Sequence, residues 1–189
     1  MAGHKQLSAI YRFLAQAMRY PEKSCLKDNF PRLSNLLESL GWQAEMRGLQ
    51  PCDAPASKAF EDLQVEYTRL FINSLGGVLA PPYGSVYLSK SGALFNEATE
   101  AVKKFYHQQG FTLADNREVA DHIVNELEFL ALLAANNMMT VEQLFLEQYF
   151  RPWFNAFYKL VLEKAELPFY KIIVKLIDFF TTPEKYQAD

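Results

Sequence analysis

The sequence predicts an all-α protein: a single globular helical bundle over residues 1–189 with one ordered loop rich in proline and aromatic residues. Three observations carry this expectation. Apolar residues recur at three- and four-residue steps along nearly the whole chain, the period of helices with one buried face. No segment alternates apolar and polar residues around a hairpin turn, and no internal repeat occurs. Residues 73–91 break the helical period with Gly76, Gly77, Pro81, Pro82 and Gly84, yet Val78, Leu79, Tyr83, Val86, Tyr87 and Leu88 make the same stretch apolar. Such a loop must lie against something. At 189 residues and 50% hydrophobic composition the chain can bury a core as one domain, and nothing in its length requires a second.

The elements follow in order. Leu7, Ile10, Tyr11, Leu14 and Met18 mark a first helix that stops before Pro21. Leu33, Leu36, Leu37 and Leu40 mark a second, with Gly41 placed for a C-terminal cap. Residues 48–56 hold Pro51 and Pro55 and read as a loop, after which Ser57 can cap a helix bearing Phe60, Leu63, Tyr67, Leu70 and Phe71. Helix resumes with Ala98, Val102, Phe105 and Tyr106 and stops at Gly110. Asp115 with Glu118 makes a capping box for a helix over residues 116–135, and Thr140 with Gln143 makes another. The helix begun there runs through Leu144, Phe145 and Tyr149 to Pro152, whose missing N–H should kink it or open a new helix carrying Trp153, Phe154, Phe157, Leu160 and Val161. Pro168, at home in a first turn, opens the last helix, with Ile172, Ile173, Leu176 and Phe180 on one side.

Charge and cysteine usage exclude several function classes. Lys+Arg 19 against Asp+Glu 22 leaves a net charge of -3, and no basic block is present that could neutralise a row of phosphates, so nucleic acid is not an expected partner. Cys25 and Cys52 lack metal-ligand spacing, and reduced thiols are the default expectation. The N-terminus passes directly into an amphipathic pattern with Lys5 and Arg12, unlike a secretory signal. The most apolar stretch, residues 167–180, is broken by Lys171, Lys175 and Asp178 and is shorter than the roughly 20 residues of a membrane span. A soluble, cytoplasmic protein without an integral membrane segment is expected.

Enzyme signatures are sparse. Gly76-Gly77 lacks the lysine and the strand-to-helix setting of a phosphate loop. Ser85 lies in Pro-Tyr-Gly-Ser-Val rather than in a nucleophile elbow, and neither it nor either cysteine has a base identifiable from sequence. The paired Glu-x-x-His motifs of a di-iron bundle are missing, and His4 and His107 do not build a metal site with His122. No metal or tightly bound cofactor is expected.

A helical wheel at about 100° per residue, centred on Ile123, puts Leu127, Leu130 and Ala134 on the buried side and Asp121, Asn125 and Glu128 on the far side. Glu126 lies about 60° from the apolar centre, with His122 one turn earlier on the same edge, so its carboxylate should be partly desolvated and partnered. The bland reading has Glu126 and His122 satisfying each other or a backbone group of the loop. Asp121 near the helix start would be favoured by the macrodipole and accessible. Glu66 reads as a boundary acid on the flank of Leu63, Tyr67 and Leu70, with Arg69 pointing away. The proline pair stiffens the loop, while Tyr83 and Tyr87 present wide rings with a hydroxyl at the rim, a surface suited either to filling a gap between helices or to receiving an apolar peptide.

Three segments, Val65-Glu66-Tyr67-Thr68-Arg69-Leu70-Phe71, Ala80-Pro81-Pro82-Tyr83-Gly84-Ser85-Val86-Tyr87 and Ala120-Asp121-His122-Ile123-Val124-Asn125-Glu126-Leu127, occur in that order together with Tyr20-Pro21, Phe105-Tyr106 before Gly110-Phe111, and Pro168-Phe169-Tyr170. Their combination resembles the signature of the TorD/DmsD family of cytoplasmic chaperones that mature molybdenum-containing reductases. The resemblance implies a non-enzymatic chaperone, monomeric or a swapped dimer, that binds the twin-arginine leader and apo form of a molybdoenzyme catalytic subunit. It implies further that such a chaperone delays export and assists insertion of the client's molybdopterin cofactor. It implies that Glu66, Tyr67, Leu70, Phe71, Pro81, Pro82, Tyr83, Ser85, Tyr87, Asp121, His122 and Glu126 line the leader-binding region. Two guanidinium forks followed by an apolar run call for carboxylates beside an apolar groove. Gly84 departs from the larger residue many relatives carry there, which would alter the groove's shape. The alternatives are a small hydrolase or nucleotide-binding enzyme using His122, Glu126 and Ser85, or a general helical adaptor.

Overall fold

Helices form where the apolar period puts them, and their ends decide where the polar residues go. The computed structural model describes residues 3–49, 58–113 and 119–182, with backbone alone for residues 23–28. The helices in chain order are α1 (His4–Ala17), α2 (Lys23–Ser39), α3 (Gln43–Gly48), α4 (Lys58–Tyr67), α5 (Gly84–Leu88), α6 (Glu97–Gln108), α7 (Ile123–Ala135), α8 (Met139–Phe145), α9 (Arg151–Lys164) and α10 (Pro168–Thr181). The described residues contain no strand, and one isolated antiparallel bridge pairs Tyr83 with His122. Among them, no helix is long and apolar enough to cross a membrane.

Several expected boundaries hold. Gly41 takes the left-handed backbone (φ 70°) just beyond α2, and Pro168 opens α10. Others shift. Residues 43–48, the last of which was expected in a loop, form the short helix α3, too brief to show an apolar period; Trp42 before it packs edge-on against Phe179 with centroids 5.7 Å apart. The helix expected over residues 116–135 begins only at Ile123, so Asp121 and His122 precede it. Thr140 lies inside α8 instead of capping it. Residues 73–91 are not loop throughout, because Gly84–Leu88 close one helical turn. Ser57, Asp115, Glu118 and Cys52 lie outside the described residues, as does the side chain of Cys25.

Two π-turns make the joints. Thr68–Ile72 widens the end of α4, and the Leu70 carbonyl left without a helical partner accepts a bond from Ala80 N–H at 2.8 Å. The chain leaving α4 is thereby brought back onto it, which seats the proline loop. Leu146–Phe150 forms the second, immediately before Pro152 in the first turn of α9. The wider turn accommodates the missing N–H, and a new helix opens with Pro152 in its first turn as expected, with no loop before it.

The bundle is centred on α7, whose longest packing seam is with α1, where Ser8 Oγ donates to the Ala131 carbonyl at 2.8 Å. Phe105, Tyr106, Phe129 and Phe145 fill the space between α6, α7 and α8, with ring centroids 4.4 Å apart for Tyr106 and Phe129. A second aromatic group, Phe150, Trp153, Phe154 and Phe157, lines α9 beneath α5. Each of these rings removes apolar surface from water and adds edge or stacking contacts, which fixes α5, α7 and α9 as a rigid support.

Candidate functional site

The Pro-Pro-Tyr loop and the Asp-His segment are joined by their backbones before any side chain is considered. Gly84 N–H donates to the Asp121 carbonyl and Ile123 N–H to the Pro82 carbonyl, both at 2.9 Å, which gives the bridge between Tyr83 and His122. Asp121 reinforces it: its Oδ2 accepts Ser85 N–H at 2.6 Å, satisfying a donor at the start of α5. Asn96, the N-cap of α6, donates to the Ser85 carbonyl at 3.0 Å from the other side. Asp121 is therefore a buried clamp, 1% exposed, and not the accessible acid the wheel predicts, because the helix starts after it.

His122 caps α7, its Nδ1 accepting Val124 N–H at 3.2 Å, and its ring meets Tyr83 edge-on with centroids 4.8 Å apart. Of the two expected partners, Glu126 or a backbone group of the loop, Nδ1 meets neither and takes a backbone N–H of the first turn of α7 instead. Burial lowers the His122 pKa to about 4, with the nearby Arg19 charge adding to the effect against Asp121, so the imidazole is neutral at ordinary pH.

Glu126 is completely buried, deeper than its edge position suggests, and its Oε2 accepts the indole N–H of Trp153 at 3.0 Å. Burial first, and then the Asp121 charge, raise its pKa well above the ordinary carboxyl range. Tyr87 stacks on the same indole at 5.8 Å, and Gly84 lies so close that a Cβ there would stand 3.0 Å from indole atoms. Gly84 thus shapes the packing of α5 on Trp153 and does not open the groove. Ser85 Oγ, Tyr87 Oη, Asp121 Oδ1 and Glu126 Oε1 are buried without a hydrogen-bond partner among the described residues.

Glu66 also differs from its boundary reading. Its Oε2 accepts from Arg69 Nε at 2.8 Å, while Oε1 accepts from the backbone of Glu166 and Leu167, so it ties α4 to the start of α10. Arg69 folds back onto Glu66 instead of pointing away. Leu70 and Phe71 are core residues, and Phe71 packs edge-on against Tyr170.

On the outer side of the bridge lies a cavity of about 680 Å³ lined by Gln16, Arg19, Tyr20, Glu22, Tyr67, Tyr83, Val119, His122, Val124 and Asn125. Of the residues implied by sequence, Tyr67, Tyr83 and His122 reach it. Glu66, Leu70, Phe71, Pro81, Pro82, Ser85, Tyr87, Asp121 and Glu126 do not line it. Tyr20 rests edge-on over Tyr67 at 5.4 Å, and Tyr67 Oη donates to the Met18 carbonyl at 3.3 Å. Burial pushes the Tyr67 hydroxyl up to about 12 and also raises Tyr83, so both stay protonated donors. Asn125 is buried and donates to the Val119 carbonyl at 2.9 Å, contrary to its expected far-side position. Gln16, Arg19, Glu22 and Asn125 were missed; the Tyr20-Pro21 pair was the signal for the first three, and Asn125 stood within the quoted Asp-His segment.

The arrangement suits recognition better than covalent chemistry. Ser85 and Glu126 are both fully buried behind the bridge, so a substrate cannot reach the set His122, Glu126 and Ser85 together. No group of His, Cys, Asp and Glu among the described residues could hold a metal ion.

Comparison with known proteins agrees with this picture. A family model described as nitrate reductase delta subunit matches residues 32–159. The chain is similar to the Tat proofreading chaperone DmsD of Salmonella typhimurium, 30% identical over 142 residues that cover 71% of this chain and 69% of the relative. It is similar to the chaperone protein TorD of Actinobacillus succinogenes, 34% identical over 121 residues, covering 61% and 60%. Its fold matches a crystal structure described as a redox enzyme maturation protein from Archaeoglobus fulgidus, with TM-score 0.64, 27% identity and coverage of 93% and 94%.

Proposed function

This chain belongs to the TorD/DmsD family of molybdoenzyme maturation chaperones, which are not enzymes, and on that premise we propose that it binds the twin-arginine leader of an apo molybdoenzyme catalytic subunit in the cavity beside Tyr83. In this reading it acts in the cytoplasm, delays export of the client and assists insertion of the client's molybdopterin cofactor, while holding no cofactor of its own.

The observation that carries the proposal is the 680 Å³ cavity with Tyr20, Tyr67 and Tyr83 on its walls and Gln16, Asn125 and Glu22 at its edges. Aromatic faces accept the apolar run of a leader, whereas amide groups and hydroxyls fix its backbone. The proline loop, bridged to the start of α7, holds Tyr83 in place before a peptide arrives, which limits the ordering cost of binding. Glu66, Asp121 and Glu126 are committed to buried partners, so the acids available to an arginine pair are Glu22, which lines the cavity, and Glu128, which is exposed and paired with the cavity-lining Arg19.

Calorimetric titration of a synthetic leader tests the reading. Wild-type protein should bind an Arg-Arg peptide more tightly than the Lys-Lys version, and Tyr20→Ala should weaken binding with its melting temperature unchanged. Absence of binding by the wild-type protein would overturn the proposal.

A further inference from the structure

The cavity contains a guanidinium of its own. Arg19 lies just past the C-terminal end of α1, lines the cavity, and places Nη2 2.7 Å from Glu128 Oε1 on α7. Both side chains are close to half exposed, 42% for Arg19 and 46% for Glu128. They come from positions 109 residues apart in sequence, so the pair joins the end of α1 to α7, with Arg19 on the cavity and Glu128 as its exposed partner. The other acid on the cavity, Glu22, is exposed, and its side chain makes no cap bond to α2. His122 is neutral and Asp121 is engaged by Ser85, so Arg19 on the cavity and its partner Glu128 form an exposed pair of opposite charges.

We propose that Arg19 is a resident competitor: it holds Glu128 in the unliganded protein, and an arginine of the bound peptide displaces it and takes over the carboxylate. The inference rests on the peptide-binding reading above. Glu128 is thereby the acid that reads a guanidinium, and the structure already shows the contact it would make. Opening the pair is cheap, because an exposed ion pair is screened and weak. The released Arg19 is not stranded: next to the α1 C-terminus it remains favoured by the helix dipole. An arginine is the ligand group selected, since its planar fork reproduces what Arg19 presents, whereas lysine offers a point charge.

A double-mutant cycle measures this. Arg-Arg and Lys-Lys leader peptides are titrated into wild type, Arg19→Ala, Glu128→Gln, the double variant, and Lys104→Ala as a control for net charge on exposed α6. Removing the competitor should raise affinity for the Arg-Arg peptide about two- to five-fold, the range of an exposed ion pair. Glu128→Gln should lower it by a similar factor, and Arg19→Ala should give no gain in the Glu128→Gln background. Unchanged or weaker binding by Arg19→Ala overturns the inference, as does an equal gain in Lys104→Ala or a gain that persists without Glu128. Wild type that binds neither peptide defeats the leader-binding reading and this inference with it; wild type that binds Arg-Arg while Arg19→Ala gains nothing defeats the inference alone.

Discussion

The two sides of the Tyr83–His122 bridge are built from different chemistry. Behind it, Ser85, Asp121, Glu126 and Trp153 are all buried; Asp121 Oδ2 holds Ser85 N–H and Glu126 Oε2 holds the Trp153 indole, while Ser85 Oγ, Asp121 Oδ1 and Glu126 Oε1 have no partner among the described residues. In front of it, Gln16, Arg19, Tyr20 and Glu22 come from the end of α1 and the turn after it, and Arg19, Tyr20 and Glu22 are exposed. The family model matches residues 32–159, so these front residues fall outside the segment it covers. The difference teaches that the acids of the motifs are committed to holding the fold together, while Tyr67, Tyr83 and His122 face the cavity together with groups from the end of α1.

That contrast can be broken most forcefully at Trp153. Trp153→Ala should cost about 3–5 kcal/mol, measured by denaturant unfolding, because it empties the space under Gly84 and Tyr87 and leaves the Glu126 carboxyl without its donor. Loss of leader affinity should track loss of folded protein. A stable variant with selectively lost binding would place Trp153 in the site instead of beneath it.

The pH dependence of melting separates the same two sides. Glu126 has a raised folded pKa, so its contribution to stability is complete below the ordinary carboxyl pKa of about 4.5 and is lost as pH rises toward the folded value. His122 has a folded pKa of about 4, lowered from 6.5, so its contribution is present above 6.5 and falls away as pH drops toward 4. The His122 loss amounts to up to ~3 kcal/mol. Glu126→Gln should keep the bond from Trp153 and gain stability relative to wild type at pH 8 but not at pH 4. An identical pH profile for both proteins would show that Glu126 is not held protonated by its surroundings.

Asp121→Ala should cost about 1–3 kcal/mol through the unpaired Ser85 N–H. Its effect on an Arg-Arg leader and on a Lys-Lys leader should be equal, since Asp121 acts by holding Tyr83 and not by touching a guanidinium. A selective loss for Arg-Arg would reassign it to the front. The smallest effect belongs to Tyr20→Ala: about 1 kcal/mol of leader affinity, with stability changed by less than about 0.5 kcal/mol. A large fall in melting temperature would make Tyr20 part of the support.

Much of this was legible in the residues. The apolar edge position of Glu126 announces a desolvated carboxyl, although its burial is complete and its partner, the Trp153 indole, comes from α9. Asp121 was misplaced because a wheel assumes a continuous helix. With α7 beginning at Ile123, Ala120 and Asp121 lie in a turn closed by His122 N–H on the Val119 carbonyl, His122 alone is extended against Tyr83, and the phase carried back from Leu127 no longer applies. Glu66 and Arg69 follow the same logic: their i to i+3 spacing permits a pair, but the burial of that pair depends on Glu166 and Leu167 arriving a hundred residues later.

What the sequence determined by itself is local. The helical period, the stop at Gly41, the opening of α10 at Pro168 and the stiffness of the Pro81-Pro82 loop follow from steric limits and neighbouring residues, which act over a few positions. Tertiary structure alone decided which polar groups are walled in and which look into the cavity. The pairs that settle it, Asp121 with Ser85, Glu126 with Trp153 and Arg19 with Glu128, join elements distant in the chain. A carboxylate's desolvation and its partner are set by everything packed around it, and no periodicity along the chain encodes that.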